Sequence, residues 1–236
     1  YILGKETVSL EELSTQFSVS MNTIRRDVME LLSRGNIRKV YGGVSSTLIN
    51  RPVGFSVRAQ KNSRAKQIIG RLASQLVSDG ASIFLDSGST TPYILQHIGE
   101  KNGVTVITHS LTALYAASSL SNLNIIALGG IYAPATSSFT GISTLDALSR
   151  LSIQTIFISA TGVSIENGLT NSTYLEAEIK RSVVQRGNRV VLMADQSKFG
   201  HSAVISFCPF EQLYAIVTDC LPSEPYLDCL LYTSPS

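Results

Sequence analysis

The densest run of side chains able to hold a ligand is Asp86-Ser87-Gly88-Ser89-Thr90-Thr91. It follows a β-branched run, Ser82–Leu85, and precedes a helix expected from about Pro92. A glycine turn with hydroxyls and free backbone N–H groups at a helix N-terminus cradles an anion. A plain capping turn uses the same residues, so the triplet alone does not decide. Other strand ends share its character, His109-Ser110, Gly129-Gly130 and Ala160-Thr161-Gly162, and Ser138 to Gly141 is expected to open another helix. Small polar strand ends repeated this often suggest backbone approach to one ligand. Asp86, Gly88, Ser89, Thr90, Thr91, His109, Gly130 and Gly162 are therefore candidate contacts. His97 and His201 stand alone without metal-ligand spacing; neither a metal nor a cofactor is expected, and no residue is assigned a catalytic role.

A different chemistry lies before residue 50. Asn22, Thr23, Arg25 and Arg26 occupy the first turns of a candidate helix, and Arg38 and Lys39 a candidate hairpin. Arginine binds guanine through two hydrogen bonds and asparagine does the same for adenine when a helix lies in the major groove. Arg38 and Lys39 suit phosphate or minor-groove contacts. Taken singly, these cations would be a solvated helix face; their setting decides for DNA.

That setting is a winged helix-turn-helix. Ser9-Leu10-Glu11-Glu12 is a capping box opening a helix with Leu10, Leu13 and Phe17 on one face. Ser18-Val19-Ser20 breaks it and Ser20 caps the next, in which Met21, Ile24, Val28, Leu31 and Leu32 form an apolar stripe. Gly35 is a C-cap candidate. Ile37 to Tyr41, Gly42-Gly43 and Val44 read as strand, turn and return strand, the wing. Residues 1–66 hold 11 Lys and Arg against 5 Asp and Glu, whereas residues 67–236 hold 8 against 12. A basic module joined to a mildly acidic one suits a polyanionic partner for the first alone.

Residues 1–47 are thus assigned to DNA binding, 48–63 to a linker, 64–231 to an α/β domain and 232–236 to a truncated or foreign tail. A helix from about Arg64 to Val77 should turn Ile68, Ile69, Leu72, Ala73 and Leu76 inward. Beyond it, strands are expected at Ser82–Leu85, Val104–Thr108, Ile125–Leu128, Thr155–Ser159, Val190–Met193 and Tyr214–Val217, with helices between most of them. Alternating strands and helices imply a Rossmann-like, mostly parallel sheet covered on both faces, with ligands beyond the strands' carboxyl ends. Composition agrees with a globular chain: 44% hydrophobic and 15% charged. No apolar run reaches the roughly 18 residues of a membrane span, and no charged-then-apolar leader opens the sequence. Cys208, Cys220 and Cys229 form no CxxC pair and read as reduced thiols of a cytoplasmic protein.

Val8–Val44, with Thr23-Ile24-Arg25-Arg26-Asp27, Gly35 and Val40-Tyr41-Gly42-Gly43, resembles the N-terminal domain of the DeoR family of bacterial regulators. The family's first helix is longer, so the chain is read as N-terminally trimmed. Gly168-Leu169-Thr170, Glu176 to Lys180 and Ala194 to Gly200 extend the resemblance into the family's C-terminal domain, which is similar to ribose-5-phosphate isomerase and glucosamine-6-phosphate deaminase. The resemblance implies a repressor of a sugar-catabolism operon that binds double-stranded operator DNA as a dimer or tetramer, its affinity controlled by a phosphorylated sugar. It assigns the phosphate to Gly88, Ser89, Thr90 and Thr91, a sugar hydroxyl to Asp86 and positive charge to Lys198. Glu176 and Lys180, spaced i,i+4, fit a surface salt bridge equally well, and Asp195 fits a cap for Gln196–Phe199. The family commonly carries asparagine where His109 stands and aspartate where Gln154 stands. The alternative is a sugar-phosphate isomerase or deaminase, with Asp86 or Glu176 as base; the basic winged helix and the lack of a convincing acid–base pair count against it.

Overall fold

The computed structural model describes residues 1–2, 8–34, 37–40, 42–46 and 54–231. The chain divides into two compact units, Tyr1–Val53 and Gly54–Ser236. Gly35, Tyr41, the linker positions 48–53, the tail 232–236 and the Arg38 side chain fall outside the described parts.

In the first unit, α1 (Leu10–Phe17) starts where the Ser9 hydroxyl accepts from Glu12 N at 3.0 Å. It ends at Ser18 in the left-handed conformation. Helix α2 (Met21–Ser33) is capped likewise by Ser20, which accepts from Thr23 N at 3.2 Å. Strands β1 (Ile37–Val40) and β2 (Gly43–Ser46) pair antiparallel around Gly42, whose φ of +85° suits glycine. Val8 bridges Val44, adding a third strand position to the wing. A Cβ on Gly43 would lie 2.1 Å from the Val8 carbonyl oxygen, so only glycine lets that strand approach. Val8, Leu13, Ile24, Val28, Ile37 and Val44 make the core. Phe17, expected inside, is 54% exposed because the helix ends there; the edge of its ring contact is Tyr1, 5.8 Å away.

The second unit opens with α3 (Phe55–Gln60) and α4 (Ser63–Ser74), separated by Asn62 at φ +55°. Part of the stretch read as linker is therefore helical. Six parallel strands follow: β3 (Ser82–Leu85), β4 (Thr105–Thr108), β5 (Asn124–Ala127), β8 (Ile153–Ile158), β11 (Gly187–Met193) and β13 (Ala215–Val217). Their order across the sheet is β13-β11-β8-β3-β4-β5. From β3 the chain winds outward through β4 to β5, then returns to β8 and winds the other way. The crevice between β3 and β8 is thus the topological switch point, where such sheets hold ligands.

Alternate residues of each strand enter opposite layers. Phe84, Ile156 and Leu192 pack under α6 (Ile142–Ser149) and α7 (Tyr174–Val184). Ile83, Leu85, Phe157 and Val191 pack with Ile69 and Ala73 of α4 and with Ala113 and Ala117 of α5 (Leu111–Ala117). Two features escaped the sequence pattern. Ser138–Thr140, expected to open a helix, is β7, hairpinned with β6 (Ile131–Ala133). Strands β9 (Gly162–Ser164), β10 (Gly168–Asn171) and β12 (Ile205–Cys208) form a small antiparallel sheet. The three-residue strands β6, β7 and β9 carry too short an alternation to be distinguished from loop. The helix expected from Pro92 is a 3-10 segment, Thr91–His97.

Gly43→Ala should cost the first unit about 1–3 kcal/mol through overpacking against Val8. Urea unfolding followed by circular dichroism measures this, and an unchanged midpoint would contradict the close approach.

Candidate functional site

Helix α2 presents Asn22, Arg25 and Arg26 to solvent, opposite buried Ile24 and Val28. Thr23 is half-buried, its hydroxyl 3.0 Å from that of Ser20. Arg26 Nε lies 3.7 Å from Asp27 Oδ1, an exposed pair that costs little to break. Lys39 is exposed on β1 opposite Val44. The helix thus offers one basic, hydrogen-bonding face with its N-terminal turns open.

The carboxyl edge of the parallel sheet carries a second, buried constellation. Asp86, at the end of β3, is fully buried. Its Oδ1 accepts from Gly88 N at 2.8 Å and Thr91 Oγ1 at 2.9 Å. Its Oδ2 accepts from Ser159 N at 2.8 Å, from Ser159 Oγ at 2.9 Å and from Lys180 Nζ. Lys180 Nζ also donates to Ser159 O at 2.8 Å. This closes the crevice between β3 and β8 with an ion pair supplied from α7. Burial alone would raise the Asp86 pKa; Lys180, with Ser159 and Gly88, holds it below the usual carboxylate range.

One turn earlier on α7, Glu176 is 2% exposed. It accepts from Ser87 Oγ and Ser138 Oγ and lies 3.4 Å from His109 Nε2. Burial pushes its pKa up, but His109, Lys180 and Ser138 outweigh that and keep it ionised. Glu176 and Lys180 are therefore not a surface salt bridge: each turns inward to a different partner. The reason is register, since they share the buried stripe of α7 with Ala177, Val183 and Val184.

The glycines of this edge are tightly packed. A Cβ on Gly88 would sit 2.0 Å from Ser159 Oγ, and one on Gly130 2.4 Å from Thr144 Oγ1. One on Gly162 would meet His201 O at 2.5 Å. Ser89 is half-buried, while Thr90 and Thr91 are buried. Gly130 is exposed, and Gly162 lies in the small antiparallel sheet, so neither touches the Asp86 network.

A cationic corner completes the edge at the end of β11. Asp195 caps the turn Gln196–Lys198 by accepting from Ser197 N at 3.0 Å, and Asn62 Nδ2 reaches it at 3.1 Å. Lys66, 3% exposed, donates to the carbonyl of Arg58 and forms no ion pair among the described residues. Burial lowers its pKa to about 8; Asp195 opposes this, and Lys198, Arg58 and Lys61 add to it. Burial likewise lowers Lys198, against the pull of Asp195. Arg58 is lowered by burial and drawn back up by Glu176 and Asp86. Sequence reasoning found Lys198 but missed Lys66 and Arg58. The available signal was register: Lys66 lies three and seven residues before buried Ile69 and Ala73, on the inward face of α4.

Two family models match this chain: the DeoR-like helix-turn-helix domain over residues 1–48 and the DeoR C terminal sensor domain over residues 61–220. The HTH-type transcriptional regulator IolR of Bacillus subtilis (strain 168) is 43% identical over 218 residues, covering 92% of this chain and 87% of that protein. The glycerol-3-phosphate regulon repressor of Escherichia coli (strain K12) is 28% identical over 225 residues, covering 94% and 88%. Among solved structures, ribose 5-phosphate isomerase A of Methanocaldococcus jannaschii aligns with 59% of this chain and 55% of that one, at a TM-score of 0.44 and 21% identity.

Lys180→Met should destabilise the second unit by about 3–5 kcal/mol, because it leaves Asp86 charged, buried and unpaired. Adding Asp86→Asn should recover part of that loss in urea unfolding. Asp86 and Glu176 both have depressed folded-state pKa values. Their stabilisation is therefore present at neutral pH and is lost as pH falls below about 4 and through those values. Asp86→Asn should flatten that acid slope; an unaltered slope would contradict the assignment.

Proposed function

We propose that this chain, which belongs to the DeoR family of transcriptional regulators, binds a phosphorylated sugar at the carboxyl edge of its parallel sheet and thereby alters its grip on operator DNA. DNA-binding regulation is the family's activity; turnover of a sugar phosphate, the alternative raised by the sequence, has no support from the relatives, which are regulators. The observation that carries the effector class is the cationic corner. Lys66 is buried with only a neutral carbonyl as hydrogen-bond partner, and Lys198 beside it shares a single carboxylate, Asp195. A buried ammonium without a counter-ion is costly, and a phosphate dianion supplies the missing charge. The E. coli relative, named for a glycerol-3-phosphate regulon, points to the same class.

In this reading the phosphate lies between the Gly88, Ser89, Thr90 and Thr91 turn and the ammonium groups of Lys66 and Lys198. The two are neighbours: Lys66 lies one turn before Gly70, where an added Cβ would meet Tyr93 of the 3-10 segment at 2.7 Å. Asp86, Lys180 and Asp195 hold these elements in place, while Glu176 and His109 face the sugar. Gly130 and Gly162 bound the edge. The site is closed over by the β6–β7 hairpin and by α3, whose Phe55 N donates to Ala135 O at 3.1 Å. Effector entry must part them, and Asn62 ties that same α3–α4 corner to Asp195. Effector occupancy therefore bears on the first elements that follow the DNA-binding unit. A repressor acting as a homo-oligomer, dimer or tetramer, on a two-fold operator completes the reading. No helix among the described residues is long and apolar enough to cross a membrane.

A thermal-shift panel tests the effector class. Glycerol 3-phosphate, ribose 5-phosphate and glucose 6-phosphate are compared with their free polyols and with inorganic phosphate. A binder raises the melting temperature at saturation, and the shift should need both phosphate and carbon skeleton. Free polyols matching their phosphates would contradict the reading. For DNA, Arg26→Ala should relax sequence preference. Arg38→Ala or Lys39→Ala should weaken all duplexes about equally and reduce the salt slope by about 1. Fluorescence anisotropy across a salt series distinguishes these patterns.

A further inference from the structure

Among the described residues, Nδ1 of His109 is the only buried side-chain nitrogen or oxygen without a hydrogen-bond partner. Leaving such an atom unmade in a protein interior is costly, so it calls for an explanation. A half-turn of the ring would keep its stacking but carry Nε2 away from Glu176, which holds the ring in this orientation. One face stacks on Phe84, with centroids 5.6 Å apart and planes 18° from parallel. The backbone is pinned beneath the β6–β7 hairpin, where Phe139 N donates to His109 O at 2.8 Å. Nε2 faces the Glu176 carboxylate at 3.4 Å, and a carboxylate accepts only from an N–H, so the Nε2 position carries hydrogen whether the ring is neutral or charged. Nδ1 is then a lone-pair acceptor in the neutral ring and a donor in the charged one.

The geometry points to His109 Nδ1 as the atom that reads a hydroxyl of the bound sugar, and so as a specificity-determining contact. This rests on the sugar-phosphate reading above. A hydroxyl both donates and accepts, and so satisfies Nδ1 in either protonation state. A phosphate does not suit this end of the edge: the Glu176 carboxylate lies against the ring, and Asp86 lies at the end of the neighbouring strand. At this end Lys180 and Arg58 are already matched by those two carboxylates, whereas Lys66 and Lys198, with Asp195 alone between them, stand at the other end. His109 follows β4 and Lys198 follows β11, three strand spacings away across β3 and β8, or roughly 14 Å. A phosphosugar lying along this edge places its phosphate at the cationic corner and its far hydroxyls under His109.

Nitrogen-15 NMR of histidine-labelled protein tests this directly, because the chain has only three histidines, His97, His109 and His201. The probes are glycerol 3-phosphate, ribose 5-phosphate and glucose 6-phosphate, with binding read independently by titration calorimetry. For a probe that binds, the His109 Nδ1 resonance should move while Nε2 stays in place. His109→Phe, which keeps a ring against Phe84, should weaken that probe about tenfold and leave the weak binding of inorganic phosphate unchanged. Heat of binding with an unmoved Nδ1 would overturn the inference and leave the sugar-phosphate reading standing. If none of the probes gives heat, that reading falls and the inference falls with it. Should His109→Phe fail to fold, the wild-type spectra decide alone.

Discussion

Everything at the carboxyl edge of the sheet depends on one carboxylate. Asp86 is fully buried, yet it stays ionised because Lys180 comes to it from α7 and four further donors from two strand ends surround it. An isolated carboxylate could not remain charged there. Paired and fully hydrogen-bonded, it joins the end of β3, the turn after it, the end of β8 and one face of α7. This pair occupies the switch-point crevice that doubly wound sheets leave open for ligands. The consequence is a rigid floor on which the Ser89–Thr91 turn and the Glu176–His109 pair are held in place.

Around that floor, charge is distributed unevenly. Near β3 and β4 the carboxylates of Asp86 and Glu176 are matched by Lys180 and Arg58, while Lys66 and Lys198 gather near the end of β11 around Asp195. Such polarity suits a ligand with an anionic end and a hydroxylated end better than it suits a catalytic site. The residues that would have to move for the ligand to enter belong to the β6–β7 hairpin and to the α3–α4 corner. At the latter, Asn62 Nδ2 donates to the Asp195 carboxylate in a charge-assisted hydrogen bond. An effector that binds one arrangement of this corner better than another shifts DNA affinity by that difference in free energy, and by no more.

Much of this was legible in the sequence. Ser9 and Ser20 cap helices where their spacing to Glu12 and Thr23 places them, because a cap is a local interaction. The six parallel strands and the turn after β3 were readable from β-branched runs ending in small polar residues. What was not legible is long-range. The Asp86–Lys180 pair spans 94 positions, and from spacing alone an i,i+4 pairing of Lys180 with Glu176 was an equally good reading. Lys66 was hidden because the apolar positions of α4 define its face so strongly that a cation in the same register passes unremarked. The β6–β7 hairpin was too short to show alternation, and α3 lies in a stretch without clear periodicity. In each case tertiary burial decided the role of a residue whose local pattern allowed two.

In the proposed mechanism an anion held at the cationic corner changes the affinity for DNA. The most direct test is the affinity for an operator duplex, selected from a random pool, in the presence and absence of a saturating sugar phosphate that the thermal-shift panel identifies. This ligand should change the wild-type Kd by at least about tenfold, which requires only about 1.4 kcal/mol of coupling. Lys66→Gln should bind the operator normally but no longer respond. An operator affinity that is the same with and without a demonstrably bound sugar phosphate would contradict this mechanism.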